Sequence, residues 1–525
     1  MNFPIPRRTP APARSLLLAL PFAGLIFCSP PCEAAGAGQQ PQGKLVLETW
    51  ESALLDGKKA GHVHFEVREI EREGQTVLRA TRELRLVLKR GGDVARLNTD
   101  VGTEETPEGA VTRVFMRMGL GREQQLALDG EVRGERLRVK VEGRVENEKD
   151  VPWSPEVVGL HGEQQFLKRN KAKPGDELSY LYFEPTISYV VTVRVRVGDV
   201  EEVKLPGGRA AKLLRVESKP DKIANLQLPG STFWVDPGTY EPVVSEVDLP
   251  SLGSLRLVRT TKEAALAPVN VAELGGDLIA RQSVRLGQVV RGIHDLQSVT
   301  YRVRLAKDED PSTALPSDGR QQVTPNEDGS LDVRVVALRS PREVKDPKPA
   351  GEEYLRSNYF INSDDARVRK YAALAAGGET DPWEKAKRIE GWVHRNMRSA
   401  NFSEAMATAD HVARTLSGDC TEFAMLTAAM CRAAGVPART AIGLVYADGR
   451  DGPRMAFHMW TEVYVKGQWL ALDATLGRGS VGPGHLKITD HSWDEVRSFT
   501  PLLPVMRVLI ARPEVRVVGA AGRPE

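Results

Sequence analysis

Three residues in the C-terminal part of the chain supply a nucleophile, a base and a group to orient the base. Cys420 lies in Gly418-Asp419-Cys420-Thr421-Glu422-Phe423, His458 in Phe457-His458-Met459-Trp460-Thr461-Glu462-Val463, and Asp473 in Trp469-Leu470-Ala471-Leu472-Asp473. A thiol attacks a carbonyl only as the thiolate, an imidazole can take its proton near neutral pH, and a carboxylate fixes the imidazole's tautomer and supports its positive charge. The chemistry open to this set is nucleophilic acyl transfer.

Local patterns say which elements must hold these groups. Thr421 to Ala434 is a helix-favouring run with apolar Phe423, Leu426, Met430 and Ala434 on its repeat, closed by Gly435 and then Pro437. Cys420 therefore starts a helix, where unpaired backbone N–H groups and the helix dipole are expected to lower a thiol by a unit or more from roughly 8.5. Ala456 to Val465 alternates as a strand with His458, Trp460, Glu462 and Tyr464 on one face, Lys466-Gly467 reads as a turn, and Gln468 to Asp473 as the returning strand. A two-residue loop pairs Val465 with Gln468 and makes His458 and Asp473 diagonal neighbours on one face, about 7–8 Å apart at the backbone. A four-residue loop would set them directly opposite, whereas a one-residue bulge would put them on opposite faces.

Helix-borne Cys followed by His and Asp on successive antiparallel strands resembles the transglutaminase-like superfamily, a circularly permuted relative of the papain fold. The residues that carry the resemblance are Gly418 to Glu422, the run Cys431-Arg432-Ala433-Ala434-Gly435-Val436-Pro437-Ala438-Arg439, His458 to Val463, and Asp473-Ala474-Thr475. The resemblance covers about residues 350–505. It implies that Cys420, His458 and Asp473 are catalytic and that Gly435 to Arg439 is a structural helix stop leading into the next strand. Trp460 and Trp469 could line a substrate groove or equally pack the sheet.

The chain has four cysteines: Cys28, Cys32, Cys420 and Cys431. Cys420 and Cys431, eleven positions apart on one helix, are separated by about 16 Å and cannot form a disulfide, which needs backbone positions within about 7 Å. Cys431 reads as a packing residue. At the N-terminus, Arg7, Arg8 and Arg14 precede the apolar run Ser15 to Cys28 and the small residues Ala34-Ala35-Gly36-Ala37. This is the pattern of a secretory signal peptide over residues 1–37. The run is short and interrupted by Pro21, and Phe27 before Cys28 argues against acylation there. The expected location is therefore the periplasm or the medium, with no transmembrane anchor in the mature chain. With 72 basic and 70 acidic residues overall, and about zero net charge once the leader is removed, there is no electrostatic case for nucleic acid as a partner.

The first two-thirds reads as β structure. Short alternating runs such as His62 to Val67, Arg82 to Leu88, Arg136 to Val141 and Tyr189 to Val195 are separated by Gly-rich turns. They predict a large, mostly antiparallel sheet over 45–268 that can curve into an open barrel, with a fold-level likeness to envelope domains that hold an apolar ligand in a curved sheet. A smaller β-rich unit spans 275–340, with Ser298 to Leu305 as its clearest strand, and the Pro-, Lys- and Glu-rich stretch Ser340 to Glu353 links it to a catalytic domain over 350–510. His62 and His64 share a strand face, but no Cys or carboxylate cluster accompanies them in sequence and a solvated face is the favoured reading.

The expected fold class is α+β: a C-terminal transglutaminase-like cysteine-enzyme domain preceded by mostly antiparallel β domains. The expected function is an exported cysteine-dependent acyl-transfer enzyme that cleaves peptide or amide bonds of a protein or peptide substrate. The alternatives are a protein-glutamine γ-glutamyltransferase that cross-links, and a non-catalytic envelope binding or assembly protein. No cofactor, metal or calcium requirement is expected.

Overall fold

The computed structural model describes residues 43–90, 93–119, 125–142, 147–223, 226–249, 253–275, 281, 283–399, 406–449, 452–494 and 500–522. The leader, with Cys28 and Cys32, lies outside the described residues. No helix among the described residues is long and apolar enough to cross a membrane.

Residues 44–260 build one fifteen-stranded sheet. Its first eight strands, from Lys44–Leu55 to Asn147–Pro152, succeed one another as antiparallel neighbours; Gly253–Thr260 then returns beside Lys44–Leu55, and the strands before it run outward the other way to Val157–Val158. One pairing in this sheet, Val157–Val158 with Leu181–Tyr182, is parallel. Laid flat, fifteen strands would hold their edges roughly 65 Å apart. The two edge strands, ending at Pro152 and starting at Val157, are joined by residues 153–156 alone, a span of at most about 17 Å. The sheet therefore curls back on itself.

The helix Leu160–Arg169 packs on this sheet. Its first turn is tied there by its free backbone N–H groups: Leu160 donates to Thr103 Oγ1 at 2.9 Å, and His161 and Gly162 donate to the two oxygens of the buried Glu105 carboxylate at 2.8 Å each.

A five-stranded sheet carries the candidate site: Val284–Arg285, Gly452–Val465, Ala438–Gly449 and His485–His491 in that order, with Gln468–Leu472 also paired to Gly452–Val465. The helix Cys420–Ala433 packs against it and is surrounded by Ala366–Ala376, Pro382–Asn396 and Ala409–Thr415. A third sheet orders Gln321–Pro325, Leu331–Val336, Ser298–Leu305 and Pro513–Ala521, so its fourth strand comes from the end of the chain. The five-stranded sheet is laced by buried polar contacts that reach the third sheet's region at Asp318. Lys487 meets Glu462 at 3.2 Å and Asp490 at 3.0 Å and also pairs with Asp318, while Arg439 pairs with Glu462 at 2.7 Å and Asp490 at 2.6 Å. Burial would raise the Glu462 carboxyl, but Lys487 and Arg439 pull it down to about 2.

Candidate active site

The helix that starts at Cys420 is fixed by its own sequence. Asp419 is the N-cap, its Oδ1 accepting from the Thr421 backbone N–H at 2.9 Å, and Glu422 Oε2 accepts the Asp419 N–H at 2.9 Å, which completes a capping box. Gly418 sits at φ +150°, where an added Cβ would lie 2.4 Å from the Glu422 side chain. At the other end Gly435, at φ 77°, donates to Arg432 O and Val436 donates to Cys431 O, both at 2.9 Å, a Schellman stop. Arg439 of that segment is the buried partner of Glu462 and Asp490, a structural role.

The hairpin that bears His458 and Asp473 has the two-residue loop. Val465 pairs with Gln468 and Thr461 with Leu472, and Lys466 and Gly467 take φ of 51° and 81°, the left-handed pair of a tight hairpin turn. His458 Nε2 consequently meets Asp473 Oδ2 at 2.7 Å. The helix is registered on the same strand at two points, through the Met459 N–H to the Cys420 thiol and through Thr461 Oγ1, which donates to Ala424 O at 3.0 Å. Cys420 and His458 are fully buried and Asp473 is 3 % exposed.

One expectation is reversed. Placement at a helix start should lower the Cys420 thiol, yet it is pushed well up, first by burial and then by Asp419, with Glu422 adding to them; the Met459 N–H and Arg90 oppose the rise. Burial is the largest cause, and it also raises the Glu422 carboxyl well above its usual range. The resting group is a thiol. Burial likewise pushes Cys431 up to about 12; it and Cys420 are free cysteines.

His485 is the residue that sequence reasoning passed over. Its Nε2 lies 2.9 Å from the same Asp473 Oδ2, so one carboxylate oxygen accepts from two imidazoles, while Oδ1 accepts the Thr475 N–H at 2.9 Å. Burial would raise the Asp473 carboxyl, but the charge and hydrogen bond of His458, joined by His485, hold it far below the usual carboxylate range. Burial pushes the His485 imidazole down to about 3. With Nε2 donating to Asp473, the neutral form of each imidazole is the Nε2–H tautomer with Nδ1 as acceptor, and each Nδ1 is buried without a hydrogen-bond partner among the described residues. The ligand atoms of His458, Asp473 and His485 lie within 4.8 Å of one another. A metal ion there would have to displace both Nε2 protons.

Around this trio, Trp460 packs with Ala441, Ala471 and Val481 and meets the His485 ring edge-on at 5.2 Å, its indole N–H without a hydrogen-bond partner among the described residues. Trp469 lies under the Arg439 guanidinium at 4.0 Å and against Tyr354 and Tyr464. Both tryptophans therefore pack structure. Arg320, from the third sheet, donates to Gly482 O at 3.2 Å and to His485 O, fixing the loop that presents His485. From the fifteen-stranded sheet, Arg90 reaches Asp419 Oδ2 at 2.8 Å, with both side chains buried. Burial, helped by the charge of Asp473, pushes Glu390 up to about 7 against the Gly479 N–H that it accepts at 3.1 Å. Among the described residues His62 and His64 are not part of any such cluster: His64 pairs with Glu48 at 3.0 Å and stacks on Trp50 at 4.0 Å.

Residues 369–474 match the family profile of the transglutaminase-like superfamily, so the C-terminal part of this mostly β chain carries a transglutaminase-like domain. That match ends one residue after Asp473 and leaves His485 outside it. An uncharacterized protein of Haemophilus influenzae is 32 % identical over 97 residues, which cover 18 % of this chain and 26 % of that protein. Among solved structures, a protein of Cytophaga hutchinsonii provisionally named a cysteine protease is 19 % identical with a TM-score of 0.26, covering 38 % of this chain and 78 % of that one. A β-barrel-like protein of a domain of unknown function from Brucella abortus is 12 % identical with a TM-score of 0.31, covering 42 % and 98 %. Scores this low add nothing to the argument from the site itself.

Proposed function

We propose that this chain is an exported cysteine enzyme that transfers acyl groups, with Cys420 as nucleophile, His458 as base and Asp473 as orienter, and that its ordinary reaction is hydrolysis of peptide or amide bonds. The observation that carries the proposal is the 2.7 Å bond from His458 Nε2 to Asp473; it leaves Nδ1 without a hydrogen-bond partner among the described residues, on a strand whose next residue, Met459, gives its N–H to the Cys420 thiol. Because the resting sulfur is protonated, His458 Nδ1 takes its proton as the sulfur attacks the carbonyl carbon, then gives that proton to the departing amine. Asp473 stabilises the imidazolium in between. Water resolves the thioester in hydrolysis, and an amine in transamidation.

The complete burial of Cys420 and His458 favours a second reading, an envelope binding or assembly protein in which the β regions do the main work. Incubation of the mature protein with an envelope extract and a labelled primary amine separates the two. New N-termini that vanish in Cys420→Ala but persist in Cys431→Ala support hydrolysis, and amine incorporation with the same dependence means cross-linking. No product from either, with the wild-type thiol unreacted, refutes the enzyme.

A further inference from the structure

The interior of the curved sheet holds a second site, independent of Cys420. A cavity of about 280 Å³ lies between the inward faces of the strands and the helix Leu160–Arg169. That volume is at the lower edge of the range, about 300–1,000 Å³, in which proteins hold small molecules. Its walls are largely apolar, among them Val63, Phe65, Phe166, Leu167, Phe233 and Leu257. An ordinary β core would be apolar throughout, yet Glu51, Arg82, Glu163 and Arg259 also face this space, with hydroxyls from Thr49 and Ser231.

Contacts pair most of these charges but not all. Arg82 donates to Glu163 at 3.2 Å, and the Tyr180 hydroxyl donates to the other oxygen of Glu163 at 2.9 Å. Arg259 stands directly across the strand pair from Glu51, but its guanidinium reaches Glu241 instead, at 3.4 Å. Glu246 accepts from Ser254 at 2.9 Å and faces Arg256 across its own strand pair. Glu51 alone among these carboxylates makes no hydrogen bond or ion pair with a described residue. Its burial pushes the carboxyl up, with Arg82 and Arg259 opposing from a distance. Glu51 is half-buried, and a ligand that brings a donor to it gains a charge-assisted bond there.

We infer that this lumen binds a small amphiphile bearing one protonated amine, with its ammonium on Glu51 and its apolar body against Phe65, Phe233 and Leu257. An anionic amphiphile would have to take Arg82 from Glu163 or Arg259 from Glu241 and would leave Glu51 facing a like charge.

The test is calorimetric titration of the full mature chain at pH 7 with octylamine, octanoate and octanol, which share one apolar tail. Saturable binding of one octylamine per chain is expected, with the other two weaker by roughly tenfold or more. Glu51→Gln should weaken octylamine by a similar factor and erase the preference over octanol. Ser231→Phe, which fills the space and leaves every charge in place, should block all three ligands, and it keeps the test decisive if Glu51→Gln does not fold. Octanoate binding as tightly as octylamine, unchanged octylamine affinity in Glu51→Gln or Ser231→Phe, or no saturable binding at all would overturn the inference.

Discussion

Replacing Asp473 by Asn keeps the shape of the side chain and removes the one acceptor that two imidazoles share. Asp473 Oδ1 accepts the Thr475 N–H and Oδ2 accepts from both His458 and His485. An asparagine cannot satisfy both sides. If its oxygen keeps Thr475, its NH₂ faces both Nε2 atoms and each imidazole must move its proton to Nδ1; if it flips, the NH₂ opposes the Thr475 N–H. Two charge-assisted bonds of about 1.5–3 kcal/mol each are weakened but not wholly lost, so a stability loss of about 2–4 kcal/mol is expected. The tautomer is the sharper readout. Long-range ¹H–¹⁵N correlation on histidine-labelled protein should show His458 and His485 as Nε2–H tautomers in the wild type and as Nδ1–H tautomers in Asp473→Asn. A His458 that keeps its proton on Nδ1 cannot accept one from Cys420, so acyl-transfer rate should fall about 10²–10⁴-fold. Wild-type His458 found as the Nδ1–H tautomer, or a variant in which neither tautomer nor rate changes, would refute the reasoning.

Other expectations follow from buried charges. Glu390 is 2 % exposed and its carboxyl is raised from 4.5 to about 7. A raised acid contributes fully below pH 4.5 and loses that contribution as pH climbs through 7, so Glu390→Gln should stabilise the protein at pH 8 by about 3 kcal/mol and hardly at pH 4, as thermal melting at the two pH values would reveal. Glu462 has the opposite sign: its carboxyl is lowered from 4.5 to about 2, so its contribution is present above pH 4.5 and disappears as pH falls toward 2, and Glu462→Gln should flatten that part of an acid-unfolding curve. Arg90→Met leaves Asp419 Oδ2 buried without its cation and should cost about 3 kcal/mol in guanidinium chloride unfolding; the Cys420 thiol should also titrate higher, since Arg90 opposes its rise.

What could be read in the sequence was local. Lys466-Gly467 between two alternating runs marks a tight hairpin, and the two-residue register it adopts brings His458 to Asp473. The helix-favouring run from Thr421 marks the helix start at Cys420, and Gly435 followed by Pro437 announces the helix end. What escaped was non-local. His485 reaches Asp473 from another strand and has no spacing rule to mark it; a histidine beside Gly482 and Gly484, within reach of the Asp473 strand, was the only cue. Arg90 lies 329 residues from Asp419, and Pro513–Ala521 joins a sheet whose other strands end at Val336. The thiol was misjudged because helix position is visible in sequence, whereas complete burial is a property of the assembled fold.

The order of strands in the large sheet also sets an order of events. Lys44–Leu55 can pair with Lys58–Arg72 as soon as both exist, but its other edge waits for Gly253–Thr260, the last strand of the sheet to be made. Until then the nascent chain presents an open row of backbone donors and acceptors on its first strand, an invitation to pair with another molecule. Loop closure over this distance is slow compared with hairpin formation. The rate at which this protein matures should therefore depend on keeping that first edge covered, and a chaperone that binds extended segments would act chiefly on Lys44–Leu55.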